Sequence, residues 1–170
     1  MEKNLMIIAN SIIAKQTLTE IEQINEETLQ YGLKLSEKDI KTIIETRNVA
    51  LKSYGRAEFG VGIITKLISV FSDSPYIFQS NYVEMIDDLI ETFYYFKNET
   101  MDEFSDDDLI KFMKEYFDNK CQGDLELLRE KYLDRLVFNI KHGMDDYLDV
   151  DDEMDPDEEG DEDSDEGYYY

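Results

Sequence analysis

The sequence predicts an all-α protein: a single compact bundle of about six to seven helices, then a disordered acidic tail. Three observations predict it. Apolar residues recur at three- and four-residue spacing along almost all of residues 1–143. Serine, aspartate and glycine stand where those stripes begin and end. No stretch alternates apolar and polar residues between turns, so no sheet is expected.

The first helix is expected over residues 2–14, amphipathic, with Leu5, Ile8 and Ile12 on one face. A second runs from Leu18 to Gly32 and turns Ile21, Ile24 and Thr28 to one side; glycine takes the left-handed cap conformation without steric cost. Ser36 is the expected N-cap of a third helix, with Ile40, Ile43, Ile44, Leu51 and Tyr54 inward and Gly55 at its end. A fourth spans about Gly60–Phe71 and buries Ile64, Leu67, Ile68 and Phe71. The run Ser72-Asp73-Ser74-Pro75 breaks the pattern, because proline lacks a donor and restricts the residue before it.

Ser80 or Asn81 is expected to cap a fifth helix, whose stripe is Tyr82, Met85, Ile86, Leu89, Phe93 and Phe96. Ser105 caps a sixth, with Asp106, Asp107 and Asp108 in the first turn, where the helix dipole favours negative charge. Its inward residues are Leu109, Ile110, Met113, Tyr116 and Phe117. Asp124 caps a seventh, lined by Leu125, Leu128, Tyr132, Leu136 and Ile140, with Lys141 and His142 in its last turn and Gly143 after it.

Charge divides the 170-residue chain into a helical domain, 1–143, and an acidic tail, 144–170. The tail holds 15 of the 41 acids and no Lys or Arg, which leaves 26 acids against 17 bases, a net of −9, for the domain. With almost nothing apolar to bury and strong self-repulsion, the tail is expected to stay disordered. Whatever the domain does is expected to survive deletion of residues 149–170. A domain of this sign is not expected to bind nucleic acid, whose phosphates call for Lys and Arg, or an anionic membrane. No apolar run approaches the roughly 20 residues that span a bilayer. The single cysteine, Cys121, fits a reducing compartment, and a cytoplasmic location is expected.

The segments GRAEFG (55–60), SDSPYI (72–77), ETFYYFKNET (91–100) and FMKEYFDNKCQG (112–123) resemble an uncharacterised family of unknown function from Firmicutes bacteria. The resemblance covers residues 17–140 and omits the tail. It implies a bacterial cytoplasmic protein and brings no activity, cofactor or catalytic residue.

Catalytic and metal chemistry find little footing. One cysteine and one histidine cannot build a structural zinc site without several carboxylates. The paired Glu-x-x-His of a di-iron bundle is missing, since Asn139 stands three before His142. Cys121 and His142 would lie about 30 Å apart along an unbroken helix. The stretch Gly60-Val61-Gly62 ahead of Lys66 meets neither glycine-rich phosphate pattern. In the tail, Asp155, Asp157, Glu159, Gly160 and Glu166 take positions of a calcium loop. Glu159 and Glu162 depart from the pattern, and only weak, unselective cation binding is expected. No cofactor, metal or catalytic residue is assigned, and the balance leans against an enzyme.

Two clusters are candidate sites. Arg47, Asn48, Arg56 and Glu58 form a polar group in which Arg47 falls on or beside the apolar stripe. It reads as structural ion pairs, for example Arg56 with Glu58. The alternative is an anion or carboxylate held bidentately by Arg47 and Arg56, in a small-molecule binder or enzyme. Aromatics concentrate between residues 76 and 117, which hold 11 of the 21. There Tyr94 and Tyr95 project away from the fifth helix's core stripe. They read either as covered by a second layer of helices or as a partner or self-association surface, where tyrosine is enriched. The leading expectation is a non-enzymatic interaction or regulatory protein, followed by the anion binder and by an acidic decoy for a basic partner.

Overall fold

The computed structural model describes residues 2–144, with side chains described for Lys3, Asn4 and residues 11–144. The acidic segment 145–170, with its calcium-like spacing, and the side chains of Leu5 and Ile8 lie outside the described residues. Those described form an all-helical bundle without a strand.

The two helices expected at the start are one, α1 (Glu2–Thr28). Ala14 to Leu18 contains no glycine or proline, so nothing interrupts the backbone ladder. Ile12 does not face the core but is 54% exposed, while Ile21, Ile24 and Thr28 are buried. A 3₁₀ turn, Leu29–Tyr31, follows. It closes on Gly32 at φ 74°, the expected left-handed cap. The Thr28 hydroxyl also donates to the Leu33 carbonyl at 2.9 Å.

Helix α2 (Glu37–Ser53) opens on a complete capping box: the Ser36 hydroxyl accepts from the Asp39 N–H, and the Asp39 carboxylate accepts from the Ser36 N–H. It buries Ile40, Ile43, Arg47, Ala50 and Leu51. Helix α3 (Gly62–Phe71) turns Ile64, Leu67, Ile68 and Phe71 wholly inward. Across the break at 72–75 the Ser74 hydroxyl donates to Asp118 Oδ1 at 2.6 Å.

Helix α4 (Tyr82–Glu99) is the centre of the bundle, packed against α2, α3 and α5. Neither Ser80 nor Asn81 caps it through a side chain. Asn81 instead folds back on the preceding loop, accepting from the Phe78 N–H at 2.7 Å and donating to the Tyr76 carbonyl at 3.1 Å. Its buried set runs well beyond one stripe and includes Ile90, Thr92, Tyr94 and Lys97. Each large apolar side chain buried so contributes about 1.5–3 kcal/mol.

Helix α5 (Asp106–Asn119) starts at the expected cap, where the Ser105 hydroxyl accepts from the Asp108 N–H. The last rod is α6 (Leu125–Leu127), a π turn (Leu128–Leu133) and α7 (Asp134–Lys141), counted together as the sixth helix. Asp124 caps it as expected. The π turn was not expected; in it the Asp134 N–H reaches back five residues to the Arg129 carbonyl.

Candidate functional site

Arg47 lies on the buried face of α2 and is 8% exposed. Its Nη1 donates to the Gly60 carbonyl at 2.6 Å, its Nε donates to Asn48 Oδ1 at 2.9 Å, and Glu58 Oε2 stands 3.7 Å from Nη1. The same Glu58 oxygen accepts from the Tyr94 hydroxyl at 2.6 Å. Arg47, Glu58 and Tyr94 thus fasten the loop between α2 and α3 onto the central helix. Burial, reinforced by the Glu58 carboxylate, holds the Tyr94 phenol well above the ordinary tyrosine range.

Arg56 pairs with Asp102 rather than with Glu58. Its two terminal nitrogens donate to the two carboxylate oxygens at 2.9 and 2.7 Å, a bidentate fork that ties the α2–α3 loop to the α4–α5 loop. That hydrogen bonding holds the Asp102 carboxyl below the usual range. Lys97, almost buried, sits 3.0 Å from Asp106 and donates to the Phe104 carbonyl. Both candidate arginines therefore direct their donors to partners within the chain.

The two tyrosines part company. Tyr94 is 1% exposed and sits inside the bundle, whereas Tyr95 is 44% exposed. Tyr95 lies on a groove of about 700 Å³ between α2 and α4, closed at one end by the last rod. Val49, Ala50 and Tyr54 from one side and Phe96 from the other give it an apolar and aromatic floor. Glu45, Glu91 and Asp134 line it with negative charge. Arg129 reaches across its end, donating to Thr92 Oγ1 at 2.5 Å and to the Asp88 carbonyl at 3.0 Å. Residues 20–146 of the chain match the model of a family of unknown function, DUF6323.

The chain belongs to that family. The DUF6323 match takes in the whole groove and the Arg47–Glu58–Tyr94 fastening, and it begins inside α1. No curated protein and no solved structure matches the chain.

At the end of the DUF6323 groove, Asp134 is held in a setting that disfavours its charge. Burial raises the Asp134 carboxyl, and Glu99 adds to the effect. Burial likewise raises the Tyr54 phenol, with Tyr95, Glu99 and Glu91 adding. Asp87, one turn before Glu91, has Oδ1 buried without a hydrogen-bond partner. Burial raises its carboxyl, Thr46 works against the shift, and Glu91 and Asp88 add to it. A carboxyl raised in the folded state stabilises below its unfolded value and loses that contribution as pH rises through the folded one. Asp87→Asn should therefore raise the melting temperature at neutral pH, and the gain should shrink as pH falls through the carboxylate range. Paired thermal melts check this; an equal or larger gain in acid would refute the burial account.

Sequence reasoning missed the groove because three segments far apart in the chain line it. Elsewhere among the described residues, no group of three His, Cys, Asp or Glu side chains is placed to hold a metal ion, and no helix is long and apolar enough to cross a membrane. Cys121 is buried, and burial pushes its thiol up to about 11, which leaves it a poor nucleophile at neutral pH.

Proposed function

We propose that the protein is a non-enzymatic cytoplasmic binding module, bacterial in origin, whose helical domain seats a basic, partly apolar segment of another protein in the α2–α4 groove. The observation that carries this reading is the pairing of exposed Val49 and Tyr95 with the carboxylates Glu45, Glu91 and Asp134 in one groove. Tyrosine and apolar floor supply contact area. A Lys- or Arg-bearing segment relieves the crowded negative charge, and opposite charge fixes register and excludes wrong partners. The anion reading at Arg47 and Arg56 has less support, because Gly60, Glu58 and Asp102 already engage those side chains.

The test is nuclear magnetic resonance titration of the full, isotope-labelled chain with an amphipathic Lys/Leu helical peptide and with a Glu/Leu peptide of the same length. The Lys/Leu peptide should shift resonances of Val49, Glu91 and Tyr95, and the Glu/Leu peptide should not. Tyr95→Ser combined with Val49→Ser should weaken binding at least tenfold, about 1.4 kcal/mol, and leave the melt unchanged. Shifts confined to the acidic tail, or equal binding by the double variant, would overturn the proposal.

A further inference from the structure

One end of the α2–α4 groove combines aromatic faces with uncompensated acids. Glu91 and Tyr95 stand one turn apart on α4, so both project to the same side. Tyr54, at the C-cap of α2, lies close by: Tyr95 and Glu91 add to the rise that burial gives its phenol. Phe96 braces the Tyr95 ring edge-on, with centroids 4.9 Å apart and planes at 82°. Asp134 completes this end from the last rod.

The chain supplies no cation to match these acids. Glu99, which adds to the rise that burial gives the Asp134 carboxyl, is itself engaged by Lys141 at 3.0 Å. Arg129 lines the groove too, but its Nε and Nη2 go to Thr92 Oγ1 and the Asp88 carbonyl. Among the described residues neither Glu91 nor Asp134 has an ion pair. The acidic tail cannot serve, since residues 144–170 hold no Lys or Arg. The missing charge must come from another molecule.

Lysine and arginine meet such a place differently. The lysine ammonium is a compact, strongly hydrated point charge, and it must give up that water to lie among tyrosines. Guanidinium is planar and more weakly hydrated. It stacks on an aromatic face and offers two parallel N–H groups to one carboxylate. Tyr95, 44% exposed, has ring surface open for stacking. Burial acts on both Tyr54 and Asp134, so this end is partly dry, which favours the less hydrated cation.

We infer that this end of the groove selects arginine over lysine, with a partner's guanidinium stacked on Tyr95 and forked onto Asp134. Glu91 adds charge from the α4 wall. The inference rests on the proposed seating of a basic segment in this groove, and it names the side chain that carries the charge.

The test is titration calorimetry of the full chain with an Arg/Leu peptide and with the Lys/Leu peptide of the same length and pattern. The Arg/Leu peptide should bind at least tenfold more tightly. Dimethylating its arginines keeps the charge but blocks the fork, and should remove most of that advantage. Tyr95→Leu keeps an apolar side chain without the ring, and Asp134→Asn removes the carboxylate. Each should cut the advantage to threefold or less in a chain that still melts cooperatively, because both side chains are exposed. Equal affinity of the wild type for the two peptides overturns the inference and leaves the groove reading intact. Binding of neither peptide overturns both. An arginine advantage that survives in both variants would place the contact elsewhere, the acidic tail included, and also overturns the inference.

Discussion

Tyr94→Ser should destabilise the protein by about 3–5 kcal/mol, the range for truncating a buried aromatic, while Tyr95→Ser should stay within about 0.5 kcal/mol. The difference follows from position. Tyr94 is almost wholly buried, packs edge-on against Phe93 with ring centroids 5.1 Å apart, and donates to Glu58. Its removal leaves a cavity in the central helix and strips Glu58 of a donor, so Arg47 keeps a less well-held partner. Tyr94→Phe separates the two contributions and should cost about 1.5–3 kcal/mol for the lost hydrogen bond to a carboxylate. Denaturant unfolding reads all three, as a shifted midpoint with an unchanged slope. If Tyr94→Ser unfolded with the wild type, the fastening of the α2–α3 loop to α4 would not be structural.

Gly123→Ala should cost about 2–6 kcal/mol, combining backbone strain of about 1–3 with an overpacking term of about 1–3. Gly123 has φ +83°, and a Cβ built there would stand 2.4 Å from Tyr76 Cβ. That neighbour cannot swing aside: its position is fixed by its own backbone, and its ring meets Phe117 edge-on at 6.3 Å. Gly32 is the control. It has φ +74° but nothing within 4 Å of its added Cβ, so Gly32→Ala should carry the backbone strain alone. Equal losses in thermal melts of the two variants would show that the approach of the Tyr76 loop to the Gly123 loop does not matter.

The local part of the fold was legible in the sequence, and the reason is physical. Ser36, Ser105 and Asp124 announce helix starts because the orphan N–H groups they satisfy lie within three residues of them. Gly32 and the break at Ser72-Asp73-Ser74-Pro75 likewise act on their own backbone. What depends on neighbours distant in the chain was not legible. The period of α4 marks one inward stripe, yet α2, α3 and α5 surround it, so Tyr94 is covered on a face that periodicity assigns to the surface. Arg56 finds Asp102 across 46 residues, and with 41 acids in the chain no composition argument could choose that one. The continuity of α1 is a different case. No breaker separates its halves, and Lys15, Gln16 and Thr17, where a gap was expected, include neither glycine nor proline to stop a helix.

The internal ion pairs bear on how fast the molecule meets others. Arg47, Arg56, Lys97 and Lys114 each lie against carboxylates within the fold, with side chains no more than a quarter exposed. Much of the scarce positive charge is thereby neutralised at short range, and the field a few ångströms out is set by the acids left over. Two copies approaching each other must climb that field, whereas a basic protein is drawn in from afar. Encounter rates should respond to ionic strength in opposite directions: as the screening length shortens from about 10 Å at 0.1 M salt to about 3 Å at 1 M, encounters between copies should quicken and capture of a cationic partner should slow.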